Sequence, residues 1–223
     1  MGQNQKKRRT KAPARKASPT APANYHVPAS SAGLSPDAQK RHERFMAEYN
    51  ESLRTVRSTV LEVLVWGPGI TVESPLAEKR WQIREALRKK GHSAHFSEEI
   101  EEADDLQDLF ENGKGLLLKA LRQAQKADFL ILLLDERALG VATELQICIR
   151  SEIAAKVFII VPASIQGTFL DEGSISLIKG GNGAIYPYTP DELAKSYVLT
   201  AAVNRVEDRR FQYVYNHTMN ERG

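Results

Sequence analysis

Residues Ala127 to Leu134 read ADFLILLL, and this near-continuous apolar run limits what the chain can fold into more than any other stretch. A strand that is apolar at almost every residue must be covered on both faces, as the central strands of a parallel sheet are. Thr59 to Trp66 (TVLEVLVW) and Val157 to Val161 (VFIIV) have the same character. None approaches the roughly 18–20 apolar residues that span a bilayer, so no membrane partner is expected.

Helical patterns alternate with these strands. Ser35-Pro36-Asp37 predicts a helix start, with Ser35 as N-cap and Pro36 in the first turn. That helix runs to about Arg57 on a stripe of Phe45, Met46, Tyr49 and Leu53. Ser74-Pro75 opens a second helix with Leu76, Trp81, Ile83 and Leu87 as its apolar positions, ended by Gly91 after Arg88-Lys89-Lys90. Ser93 to Phe96 is a short strand, and a helix is expected from about Asp105 to Gln125. Another is expected from Val141 to Ala155, carrying Leu145, Ile149 and Ile153 on one side. Ile185 to Tyr188 reads as the last strand, and Pro190-Asp191-Glu192 opens a C-terminal helix. No element is legible from 163 to 184, where Gly167, Gly173, Gly180, Gly181 and Gly183 fall, and a lid over a crevice is expected there. Strands alternating with helices imply right-handed crossovers. The expected fold is therefore α/β and flavodoxin-like, with five parallel strands and helices on both faces.

The 223 residues allow one full domain and a tail. Residues 1–33 hold Lys6, Lys7, Arg8, Arg9, Lys11, Arg15 and Lys16 with no acidic residue, while the whole chain is only +3, so the remainder is net acidic. The same segment carries Pro13, Pro19, Pro22 and Pro28 and has no apolar periodicity, which predicts a disordered basic tail. The organisation read from the sequence is thus a tail over 1–33, an N-terminal helix over 34–58 and an α/β domain over 59–223. Such a tail suits a nucleic-acid-bearing partner or an acidic protein regulator, or serves only solubility. The basic start is not followed by an apolar segment of secretory type, and Lys6 departs from the myristoylation pattern. The single Cys148 cannot form an internal disulfide. A cytoplasmic protein is expected.

In open parallel sheets ligands bind beyond the carboxyl ends of the strands. That rule selects Gly67, Pro68 and Gly69 after the first strand, Ser97, Glu98 and Glu99 after the second, Asp135 after the third, and Pro162-Ala163-Ser164 after the fourth. Gly67-Pro68-Gly69 could bring backbone N–H groups to a phosphate or ribose, or could be a plain strand-exit turn. It has neither dinucleotide-motif nor P-loop spacing. In Gly140-Val141-Ala142-Thr143-Glu144, Glu144 falls in the first turn of a helix at the sheet rim, where the helix dipole favours the ionised carboxylate. A carboxylate there suits stabilisation of a cationic sugar carbon, or simply helix stability. The histidines are scattered and no Cys/His cluster has zinc spacing, so no metal or bound cofactor is expected. Cys148, one turn after Glu144, reads as a buried structural thiol. Six acidic residues between Glu98 and Asp105 could bind Mg²⁺ or form a solvated helix start.

A first strand ending in a small-residue turn, the ADFLILLL strand, and Gly140 four residues before Glu144 together resemble the nucleoside 2-deoxyribosyltransferase-like proteins. Those belong with TIR domains among flavodoxin-like N-glycosidases, and the resemblance covers about residues 59–189. It implies that Glu144 is the catalytic carboxylate acting at the sugar C1′, that Asp135 is a second catalytic acid, and that Gly67, Pro68, Gly69, Ser97, Glu98, Gly140 and Thr143 bind substrate. The family pattern has Asp shortly before the Gly and Thr just after it, where this chain has Ala138-Leu139 and Val141. The activity implied is cleavage of a base–ribose bond in a nucleotide, NAD or a purine (deoxy)nucleotide, in a homo-oligomer that serves as a toxic effector of bacterial antiphage defence. NAD is favoured because nicotinamide leaves as a neutral base without a proton donor. A non-catalytic nucleotide-sensing or partner-binding module of the same fold is the alternative.

Overall fold

The computed structural model describes residues 35–69, 71–100, 115–135 and 142–220. The basic tail, the acidic run from Glu101 to Asp105 and Gly140 lie outside the described residues. Division into compact units falls inside the first helix, between Tyr49 and Asn50. That helix, α1 (Pro36–Ser58), buries none of its residues.

The second unit is built on five parallel strands: β1 (Glu62–Trp66), β2 (Ser93–Phe96), β3 (Phe129–Leu133), β4 (Val157–Pro162) and β5 (Ala184–Tyr188). They lie in the order β2-β1-β3-β4-β5, the flavodoxin-like arrangement. Every residue of β3 and β4 is buried, as their unbroken apolarity requires. β2 and β5 are the edges, and both are only partly buried.

Side chains alternate between two cores. Val63, Val65, Phe129, Ile131, Leu133, Phe158 and Ile160 face one way, with Leu76, Ile83 and Leu87 of α2 (Pro75–Lys89) and Val198, Ala202 and Val206 of the C-terminal helix. Leu64, Trp66, Leu130, Leu132, Ile159 and Val161 face the other. They meet Ala120 and Ala124 of α3 (Gly115–Lys126), Leu145 and Cys148 of α4 (Ala142–Cys148), and Ile153 of α5 (Ser151–Ala154). The helices after β1 and β3 therefore pack on opposite faces, which opens a crevice at the carboxyl ends of these neighbouring strands.

Helix boundaries depart from the sequence expectation in four places. The stretch from 141 to 155 is two helices, because Arg150 is extended (φ −67°, ψ 134°) and restarts the chain so that Ile153 and Ala154 stay buried. The segment 163–184 is not structureless: it holds a 3₁₀ turn at Ala163–Ile165, a π turn at Asp171–Ile175 and α6 (Ser176–Gly180). Ile175 and Ile178 are fully buried there, which anchors this segment to the core rather than leaving it as a lid. Pro190 opens only a short helix, α7 (Pro190–Ala194), capped by Thr189 and Glu192; the long C-terminal helix is α8 (Tyr197–Asn220). In α2 the apolar stripe runs through Arg80, at 1% exposure, and not through Trp81, which is 54% exposed.

Candidate active site

The turn leaving β1 is shaped by Gly67, whose φ of 154° and nearness to Leu133 disfavour a side chain. A Cβ would stand 3.1 Å from the Leu133 Cβ and 3.3 Å from its carbonyl oxygen. This close approach ties the β1 exit to the end of β3.

Arg80 fills the space beneath that turn. Its Nε and Nη2 donate to the Val65 carbonyl at 3.1 and 2.9 Å, and Nη1 donates to the Pro68 carbonyl at 2.8 Å. Nη1 and Nη2 also reach the two oxygens of Glu98, at 2.9 and 2.7 Å. The guanidinium lies 4.3 Å from the Phe96 ring centroid, and that of Arg84 lies 4.2 Å from it. A buried cation satisfied by carbonyls, carboxylate and ring is a rigid joint between the β1 turn and the β2 turn.

The turn after β2, Ser97–Glu99, is fixed from both sides. The Glu99 carboxylate accepts from the Phe96 N–H at 2.9 Å, from Arg84, and from Arg88 at 3.2 Å. Ser97 Oγ donates to Gln123 Oε1 at 2.6 Å, and Gln123 Nε2 donates back to the Ser97 carbonyl at 3.2 Å. Ser97 and Glu98 of this turn face the crevice.

Glu144 comes to the same place from α4. A cleft of about 220 Å³ is lined by Ser97, Glu98, Lys119, Thr143 and Glu144, with Leu116 and Ala120 as its apolar wall. Lys119 Nζ donates to the Ile100 carbonyl at 3.3 Å. One carboxyl oxygen of Glu144, Oε2, is buried without a hydrogen-bond partner among the described residues. Burial holds the Glu144 carboxyl above its ordinary range, against the opposing effects of its own backbone N–H and of the Arg80 charge; Glu98 adds to the rise. Desolvation thus acts against the helix end, which favours the ionised form. Burial, and secondarily the charge of Glu144, pushes the Cys148 thiol up, which suits a structural rather than a nucleophilic sulfur.

Of the residues selected from the sequence, the structure brings Ser97, Glu98, Thr143 and Glu144 to one cleft, and joins Pro68 to Glu98 through Arg80. Gly67, Gly69 and Asp135 do not line that cleft. A larger cavity, about 450 Å³, lies toward the start of β1 and of β3, between Glu62, His95, Arg122 and Lys126. It contains none of the selected site residues except Glu99, and it runs from the start of β1 and β3 to the turn after β2 without including Glu144.

Arg80 and Lys119 were not singled out by sequence reasoning. The signal for Arg80 was its four-residue spacing from Leu76, which puts a cation on the buried stripe of α2. Among the described residues, no group of three His, Cys, Asp or Glu side chains is arranged to hold a metal ion, and no helix is long and apolar enough to cross a membrane. Comparison with protein-family models, curated proteins and solved structures gave no match.

Proposed function

We propose that the protein is an N-glycosidase that cleaves the base–ribose bond of a nucleotide, with NAD as the favoured substrate and Glu144 as the catalytic carboxylate. The observation that carries this reading is the Glu144 carboxyl, half-buried in the cleft at the carboxyl ends of the strands with Oε2 unpartnered. Breaking the bond leaves positive charge on C1′ and its ring oxygen, and a carboxylate in a poorly solvated cleft stabilises that charge far more than it would in water. Burial disfavours the lone anion, and arrival of a positively charged substrate offsets that cost.

The electron pair of the C1′–N bond goes to the leaving base, and water supplies the hydroxyl that ends on C1′, its other proton passing to solvent or, for a base that leaves as an anion, to that base. With NAD the pair neutralises the pyridinium nitrogen, and nicotinamide departs without taking a proton. This fits a cleft whose second carboxylate, Glu98, has both oxygens engaged by Arg80. Protonating Glu98 to make it a general acid would break that ion pair, whereas its remaining lone pairs can accept from ribose hydroxyls. Ser97 and Thr143 offer hydroxyls to the sugar, and Lys119 offers a positive charge to a phosphate. The resemblance to antiphage N-glycosidases extends the proposal to a toxic effector that depletes its nucleotide when triggered.

Asp135 does not line the cleft, which favours the alternative of a nucleotide-sensing module without chemistry. Chromatography of free base released from NAD and a panel of ribo- and deoxyribonucleotides separates the two. Release by the wild type that vanishes in Glu144→Gln is expected; no release from any member, with ligand still bound, would replace the enzyme by the sensor.

A further inference from the structure

Three buried side-chain atoms lack a hydrogen-bond partner among the described residues: Trp66 Nε1, Glu144 Oε2 and Arg210 Nε. Arg210 belongs to a guanidinium whose other nitrogens donate to the Lys90 carbonyl and to Glu207. The remaining two are a donor and an acceptor on the same face and at the same end of the sheet. Trp66 is the last residue of β1, is 1% exposed, and packs in the core cluster that includes Ala120 and Leu145. Ala120 also walls the cleft that holds Glu144, and Leu145 follows Glu144 in α4.

An indole N–H only donates, and an ionised carboxylate only accepts. Buried polar groups in folded proteins are nearly always matched, so two unmatched atoms of opposite sense on one face and at one end of the sheet require an explanation. We propose that Trp66 is the positioning residue of Glu144: its indole N–H is donated to Oε2 when the carboxyl ionises, which turns Oε1 toward the cleft. Glu144 is only half-buried, so its side chain can rotate to make this bond while the indole stays fixed in the core. The bond forms with the charged carboxylate and therefore favours it, opposing the burial that disfavours the anion. The consequence for turnover rests on the N-glycosidase reading; the pairing itself does not.

The chain contains two tryptophans, and the other, Trp81, is exposed. Full-length Trp81→Phe protein, labelled with ¹⁵N at the indole, therefore reports Trp66 alone by NMR. The Trp66 N–H resonance is expected to move downfield in one step as pH rises, and the step is expected to disappear on adding Glu144→Gln. A resonance that ignores pH, or titrates identically in Glu144→Gln, would overturn the pairing. Trp66→Phe keeps an aromatic side chain but removes the donor together with its five-membered ring. It is expected to raise the midpoint of the Glu144 carboxyl ¹³C titration and to lower kcat about tenfold with KM little changed. An unmoved carboxyl midpoint in a folded Trp66→Phe protein would also overturn it; if that variant fails to fold, the Trp81→Phe titration decides. A coupled titration in a protein that releases no base from any nucleotide would uphold the pairing and defeat the N-glycosidase reading.

Discussion

Arg80, at 1% exposure, donates to both carboxylate oxygens of Glu98, at 2.9 and 2.7 Å, and so locks the turn after β1 to the turn after β2. The two partners differ in what their loss leaves behind. Arg80→Met strips the Val65 and Pro68 carbonyls of their donor and leaves Glu98 without its cation, which is expected to cost about 3 kcal/mol. Glu98 stands at the rim with a 39% exposed side chain, so Glu98→Gln is expected to cost about 1 kcal/mol. Urea denaturation of both variants measures the difference, and equal losses would show that the backbone contacts of Arg80 contribute little.

Glu144 works against the fold. Its folded-state carboxyl sits above the ordinary range because burial penalises the anion. A group raised in this way contributes stability that is complete below its unfolded value and is lost as pH rises through the folded one. At neutral pH the buried carboxyl is therefore a liability, and Glu144→Gln is expected to stabilise the protein by about 1 kcal/mol while removing activity. The gain should shrink as pH falls to 4. A destabilised Glu144→Gln protein at pH 7 would assign the carboxylate a structural role.

How much of this was legible in the sequence depends on the distance over which each feature is decided. The sheet was legible because the apolarity of Phe129–Leu133 and Val157–Pro162 is a local consequence of burial on both faces. The position of Glu144 at the strand ends follows from its place after β3. Arg80 was not legible as a site residue: within EKRWQIREALRKK it reads as part of a solvated basic face, and its partner Glu98 lies 18 residues away. The same stretch gave Trp81 a buried place that Arg80 occupies, because residue type argues for the indole and only the packed helix decides its rotation. The segment from 163 to 184 reads as a lid because no element is legible over its length, where five glycines fall. Two of them serve close packing, since a Cβ on Gly181 would meet Ala154 at 2.5 Å and one on Gly183 would meet Ile178 at 2.3 Å. Desolvation of Glu144 is likewise a product of the tertiary walls, which the helix-dipole argument does not contain.

His92 sets a second pH dependence, at the opposite end of the sheet. Its ring is fully buried; Nδ1 accepts from the Leu61 N–H at 3.4 Å, so Nε2 carries the proton and donates to Glu207 at 3.0 Å. Burial, which outweighs the hydrogen bond to Glu207, holds His92 below its ordinary 6.5, and the charges of Arg210 and Lys90 act in the same direction. The unfolded chain then takes up a proton that the folded chain refuses, so stability falls as pH drops below about 6.5, by at most about 1.4 kcal/mol per pH unit. His92→Gln should flatten that slope between pH 6.5 and 5. A slope unchanged in the variant would move the effect to other groups.

The central claim is that Glu144 performs chemistry on a nucleotide rather than holding one. The most direct measurement pairs calorimetric NAD binding with chromatographic nicotinamide release, on wild type and Glu144→Gln alike. Both proteins are expected to bind with Kd values within about tenfold of each other, and release is expected to fall about a thousandfold or more in the variant. Release that survives in Glu144→Gln would contradict it.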